Sequence, residues 1–397
     1  VKTNKERILY FDGLRGIMAI IVAYGHFFGQ TKLFMLDKYP TNVPNSLLNF
    51  YQLTETTPFI FSINGNFATT VFFILSGCVL INAFKANSSF IGAFIRRFIR
   101  LGLPVFISCL LGYVMLKFQL RDDYNGESTF DDVIKQGIQT LYSADLYTRF
   151  LNPVIWSMST EFVGSVLLLL VSCISRFSTR NALGCLFFIT ILTYGYYIFF
   201  MCIGAWLTII FKDTKTENAA SKGNIIITMI LFAIVIFLQS CPVFHPWGEI
   251  YIPDQMLIKP LIDLNNFSII GMYPYKNYEF LRGLAGILLL YLVLTRINFQ
   301  RILDTPVAQF LGKISFSLYL IHWLILSSIT LPINYYIFKS SGSVYFSILG
   351  SFIIYASVSI IFSLIFFHFI ESRAISYSRN IGIKIDKFID KQAESNK

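Results

Sequence analysis

Apolar residues run through this chain in blocks about twenty long, separated by shorter stretches where Lys, Arg, Asp, Pro and Gly collect. A hydrocarbon layer about 30 Å thick takes about 20 helical residues to cross, so most blocks are long enough, or nearly so, to span a membrane. The pattern predicts about ten helices, near residues 8–30, 66–86, 97–118, 156–176, 182–196, 198–211, 224–241, 280–296, 307–330 and 344–370. The run from Ala182 to Phe211 could form one tilted span, but Tyr194-Gly195-Tyr196-Tyr197 offers a break, and two helices there make the charge map consistent. The expected fold class is an all-α integral membrane protein built as a bundle of about ten transmembrane helices.

Composition agrees with the pattern. Of 397 residues 55% are hydrophobic and only 14% charged, too few charges to coat an ordinary soluble surface. The helices leave no room for a large soluble domain, so residues 1–372 are expected to form one membrane domain, followed by a short basic cytoplasmic tail over 373–397. With ten spans, roughly two thirds of the 32 Lys and Arg fall on the side that holds both chain ends, which makes both termini cytoplasmic. That asymmetry accounts for the net charge of +10 without a nucleic-acid partner. The six cysteines show no metal-ligand spacing, so no metal site is expected, and no internal repeat of the kind found in many transporters is visible.

Polar residues inside the spans are the candidates for chemistry. In the first helix Asp12, Arg15, Ala19, Val22 and His26 share one stripe, with Arg15 and His26 about 16 Å apart along the axis. Ionisable groups at such depth are costly and usually face a bundle interior, so the stripe suggests a path for an anionic reactant. Arg96, Arg97 and Arg100 at the cytoplasmic start of the third helix form a fork suited to phosphates; the alternative is a topology anchor that snorkels to headgroups. Glu161, near the outer mouth of the fourth helix, needs a partner, for which Ser157 one turn before it and His26 across the bundle are candidates. A plainer reading makes Glu161 a helix N-terminal charge, with Ser157 or Ser159 as the cap. Tyr319 and His322 share a face of the ninth helix, where the histidine could equally be structural. The loop from about Cys241 to Glu279 carries Trp247 and Asp254 among other aromatics and carboxylates, which suits either a sugar-binding surface or an interfacial aromatic belt.

Taken in order, Asp12-Gly13-Leu14-Arg15-Gly16 with His26, Phe72-Phe73-Ile74-Leu75-Ser76-Gly77, Arg96-Arg97-Phe98-Ile99-Arg100-Leu101, Trp156-Ser157-Met158-Ser159-Thr160-Glu161, Ile314 to His322 and Phe369-Ile370-Glu371 resemble the acyltransferase-3 family of polytopic membrane acyltransferases. The resemblance covers about 360 residues; Cys78 stands where an aromatic is commoner and Met158 where Leu is commoner. It implies that the membrane domain takes an acyl group, most often acetyl, from cytoplasmic acyl-coenzyme A and passes it to a hydroxyl of a cell-surface glycan, its lipid-linked precursor or a small molecule. By the family pattern His26 is the catalytic histidine, Arg15 its companion and Glu161 a second essential polar residue, while Arg97 and Arg100, with Arg96 beside them, are candidates for the donor phosphates. Asp12, Ser157, Ser159, Tyr319, His322, Trp247 and Asp254 are candidates for substrate contact. No cofactor is expected to be bound permanently, acyl-coenzyme A being a substrate. The resemblance places the protein in a bacterial cytoplasmic membrane.

The chemistry suits those residue types. A sugar hydroxyl is a poor nucleophile, and a neutral imidazole within hydrogen-bond reach can take its proton as it attacks a thioester. A covalent acyl-histidine relay is the mechanistic alternative. A transporter or flippase for a glycan or anionic solute would share the spans and buried charge, but the arginine pair at the cytoplasmic mouth suits a retained phosphate donor better.

Overall fold

The computed structural model of the chain describes residues 9–56, 58–81, 89–121, 128–142, 151–211, 222–241, 244–245, 248–249 and 277–395. Apart from a two-residue antiparallel pairing of Phe244–His245 with Gly248–Glu249, the regular structure among these residues is helical. The helices are α1 (Leu9–Lys38), α2 (Asn45–Thr54), α3 (Gly65–Leu80), α4 (Phe90–Lys117), α5 (Phe130–Ile138), α6 (Ser157–Ser175), α7 (Thr179–Leu192), α8 (Ile198–Ile210), α9 (Lys222–Gln239), α10 (Asn277–Thr295), α11 (Ile297–Leu303), α12 (Pro306–Ile325), α13 (Leu331–Ser341), α14 (Val344–Phe366) and α15 (Ser372–Ser395).

Each predicted helix has a counterpart. Five helical stretches among the described residues are long and apolar enough to cross a membrane unaided, and α3, α7, α8 and most of α9 are shorter apolar helices. The chain is therefore a multi-pass integral membrane protein. The split between α7 and α8 falls at the expected break, because Gly195 adopts φ +94°, a left-handed conformation that only glycine takes without strain.

Several boundaries differ from expectation: α1 runs on to Lys38, α4 begins at Phe90, and two helices continue through π turns. The ninth helix does not stop near residue 330 but runs through a π-helical turn, Leu326–Thr330, into α13. Pro332 lacks an N–H, and the widened turn absorbs the lost hydrogen bond where a plain α-helix would break. The tail after residue 372 likewise continues through a π turn, Phe367–Glu371, into α15, which packs on α4. Its small residues Ala374, Ser378 and Gly382 recur every four positions and are buried, so the basic tail forms an amphipathic helix.

Close helix contacts set the framework of the site. Gly16 of α1 and Gly312 of α12 face each other so tightly that an added Cβ on either would strike the other helix's backbone. Gly77 and Gly204 do the same between α3 and α8. Without a strong hydrophobic drive between helices in lipid, such small-residue contacts let backbones approach and gain dispersion energy. The stripe read from the sequence is the inward face of α1: Ala19 and Val22 are fully buried between Arg15 and His26.

Candidate active site

α1, α3, α4, α6 and α12 enclose a cavity of about 510 Å³, a size that suits a small-molecule ligand. α1 contributes Asp12 and Arg15 to its wall, α4 contributes Arg97 and Arg100, and α6 contributes Ser157 and Glu161. α3 supplies Thr69, Phe72 and Ser76 at the i, i+3, i+7 spacing of a single helix face, and α12 supplies Lys313 and Tyr319. Glu371, from the π turn after α14, closes the wall together with Ile375 of α15. From Gln309 to Tyr319 along α12 the cavity is about 15 Å deep.

All of its charges but Lys313 face an opposite charge. Arg97 forms an ion pair with Glu161, and its Nε donates to Ser165 Oγ at 3.0 Å. Glu161 also accepts from Ser76 Oγ at 2.8 Å. Glu371 accepts from Ser317 Oγ at 2.6 Å and lies within electrostatic range of Arg100, while Arg15 lies 3.4 Å from Asp12. Buried charges left unpaired would be costly, so these carboxylates are part of what lets the arginines sit inside a helix bundle.

The cavity's deep end is walled by Thr69, Phe72, Ser157 and Tyr319. The Tyr319 hydroxyl donates to Val154 O at 2.9 Å and lies 2.7 Å from Ser157 Oγ, which fixes the ring. Beyond it, His322 Nε2 lies 2.8 Å from His26 Nδ1, and the two rings lie nearly coplanar, edge to edge, with centroids 5.1 Å apart. Trp323 presents its ring edge-on to His26 at 5.0 Å.

The tautomers follow from the partners. His322 Nδ1 lies 2.9 Å from the Leu318 carbonyl, which can only accept, so Nδ1 carries the proton and Nε2 of the neutral ring is a lone pair. That lone pair must accept the His26 Nδ1–H, which leaves His26 Nε2 as the basic nitrogen. No other hydrogen bond reaches His26 among the described residues.

Several expectations are revised by this geometry. Glu161 does not reach His26; its partners are Arg97 and Ser76, and the imidazole is oriented by His322 instead. Arg96 lies off the cavity and donates to Asp386 of α15 at 2.8 Å, because its position on α4 turns it toward α15. Ser159 is buried but only returns a bond to Trp156 O, and neither Ser157 nor Ser159 caps α6. The path suggested along the α1 stripe is filled by Ala19 and Val22, so the open route from the arginines leads along α3 and α12 to Tyr319. Asp12, Arg15, Arg97, Arg100, Ser157 and Tyr319 do line the cavity, while Trp247 and Asp254 lie outside the described residues.

Ser76, Lys313 and Glu371 escaped the sequence reading as site residues. Two of them had a faint signal: Ser76 lies seven residues from Thr69 on one face of a mostly apolar helix, and Glu371 is a carboxylate at the end of a membrane-length run.

The acyltransferase-3 family profile, described as an acyltransferase domain, matches residues 8–368, nine tenths of the chain. No match was found among curated proteins or solved structures. With a family match that runs from the start of α1 to the π turn after α14 and takes in both histidines and all of the cavity wall but Glu371 and Ile375, the chain belongs to the acyltransferase-3 family of membrane acyltransferases.

Proposed function

We propose that this protein moves an acetyl group from cytoplasmic acetyl-coenzyme A to a hydroxyl of a cell-surface glycan or its lipid-linked precursor, in a bacterial cytoplasmic membrane. In this reading about ten helices span the bilayer with both termini in the cytoplasm. The observation that carries it is the juxtaposition of a deep cavity holding Arg15, Arg97 and Arg100 with a tautomer-defined histidine pair just past the deep end. The arginines suit the donor phosphates, and the thioester arm would extend along α3 and α12 toward Tyr319.

His26 Nε2 takes the proton of the acceptor hydroxyl as its oxygen attacks the thioester carbonyl. The tetrahedral adduct then collapses, the C–S bond breaks, and the imidazolium returns the proton to the departing coenzyme A thiolate. His322 acts through His26: by accepting the Nδ1–H it keeps the basic nitrogen on the far side of the ring and stabilises the imidazolium. Ser157 and the Tyr319 hydroxyl stand at the cavity end, where the acyl carbonyl would arrive. Trp247 and Asp254 belong to the acceptor side of the proposal, through aromatic stacking on a sugar face and hydrogen bonding to its hydroxyls.

The test is transfer from radiolabelled acetyl-coenzyme A by purified protein, followed by mass spectrometry of surface glycans from cells with and without the gene. No label on protein or acceptor, and none released as acetate, would remove the acyl chemistry and revive transport.

A further inference from the structure

The cavity carries four cationic side chains, Arg15, Arg97, Arg100 and Lys313, against three carboxylates, Asp12, Glu161 and Glu371. Empty, it is therefore close to neutral, although the proposed donor carries several phosphate charges. Phosphates cannot approach Arg97 while Glu161 remains on it without placing like charges within a few ångströms of each other.

The pair is built to exchange. Arg97 keeps its Nε bond to Ser165 Oγ, and Glu161 keeps its bond from Ser76 Oγ, so breaking the ion pair strands neither group. The guanidinium stays oriented and presents its terminal nitrogens to whatever anion replaces the carboxylate. No second bond links Glu161 to the histidines, which act with each other.

We propose that Glu161 is a resident counter-ion for Arg97: a positioning residue that holds the guanidinium in the empty site and is displaced from it by a donor phosphate. This rests on the acyl-coenzyme A reading of the cavity. The same exchange ties donor release to re-formation of the ion pair, so Glu161 helps to expel the product, free coenzyme A, after transfer. A carboxylate that oriented the base, or merely held the fold together, would have no reason to weaken donor binding.

The experiment measures the affinity of free coenzyme A for the purified full-length protein, by calorimetry and by thermal shift, in wild type, Glu161→Gln and Glu161→Asp. Glutamine keeps the shape and the Ser76 bond but removes the charge that competes with phosphate. Glu161→Gln should bind coenzyme A several-fold more tightly, on the order of 3- to 10-fold, with a lower KM for the acyl donor and a larger thermal shift on ligand addition. Glu161→Asp, which retains the charge, should show no such gain, and combining Glu161→Gln with Arg97→Gln should abolish it. If the Glu161→Gln protein is recovered folded only when coenzyme A is present throughout purification, the exchange is supported, since phosphate then supplies the missing counter-charge. Unchanged or weaker binding by Glu161→Gln, or a variant that saturating coenzyme A cannot rescue, would overturn it. Wild-type protein that binds no coenzyme A would instead overturn the donor reading on which the inference stands.

Discussion

Two polar centres share α1, eleven residues apart, and are held in opposite ways. Around Arg15 the cavity is open and its charges are compensated by carboxylates from three different segments, so each arginine can be handed from an internal partner to a ligand. Around His26 the contacts are uncharged: a second imidazole lies edge to edge with it, a tryptophan ring stands perpendicular beside it, and a backbone carbonyl sets both tautomers. The first arrangement favours binding, where charge must be exchangeable, and the second favours proton transfer, where one nitrogen must be reliably basic. Tyr319, fixed by Val154 and Ser157, stands between them and keeps the two environments apart.

The sharpest way to break that comparison is at His26. His26→Ala or His26→Gln should lower transfer at least 100-fold while leaving donor binding intact, because neither side chain can take the proton. Turnover above about a tenth of wild type, in a protein shown to bind coenzyme A normally, would rule out general-base catalysis by this residue.

His322→Phe comes next. It keeps a ring against His26 but removes the acceptor that fixes the tautomer, so kcat should fall by roughly 10- to 100-fold with the donor KM unchanged. A KM effect of similar size would move His322 into the donor site and erase the division between the two centres.

On the other side of Tyr319 the expectation reverses. Arg97→Gln combined with Arg100→Gln should raise the donor KM by about 10-fold or more, with a smaller loss in kcat, since contacts remote from the thioester bind ground and transition states alike. Lys at either position should recover only part, because a point charge cannot reproduce a forked contact. Steady-state kinetics over a donor titration would separate these outcomes.

The smallest effect is expected at Arg96, which the geometry removes from the donor site. Arg96→Gln should leave the donor KM unchanged and lower Tm by roughly 2 °C or less, as a partly exposed ion pair implies. Burial alone would raise the Asp386 carboxyl, but hydrogen bonds from Ser89 and Arg96 outweigh it and hold the group below its ordinary value. A depressed carboxylate stabilises the folded state above the unfolded value of about 4 and ceases to do so as pH falls through the folded value. The Tm difference between wild type and Asp386→Asn should therefore be full at neutral pH and close as pH drops below about 4.

Much of the fold was readable along the chain because lipid imposes a local rule: a segment in hydrocarbon must satisfy its own backbone, so length and hydropathy alone mark the helices. Gly195 could be placed at a break for the same local reason, since its backbone freedom is its own property. His26, Arg15, Arg97, Arg100 and Glu161 stood out because a charge inside an apolar run is conspicuous wherever it points.

Which of these groups meet was decided only by the tertiary structure. His26 pairs with a histidine 296 positions away, Arg96 with a carboxylate 290 positions away, and Glu161 with Arg97 across 64 residues. Glu161 could not be assigned to Arg97 in place of His26 by spacing along α6, because that choice depends on how α4 and α3 are set around it by contacts such as Gly77 on α8. The continuation of the tail into α15 is likewise tertiary, α15 being drawn onto α4 by Asp386, whereas the π turn before α13 has a local cause in Pro332. Sequence thus determined where polar groups enter the membrane, through a free-energy cost each residue bears alone; packing determined their partners, because a pair energy depends on distances that only the assembled bundle sets.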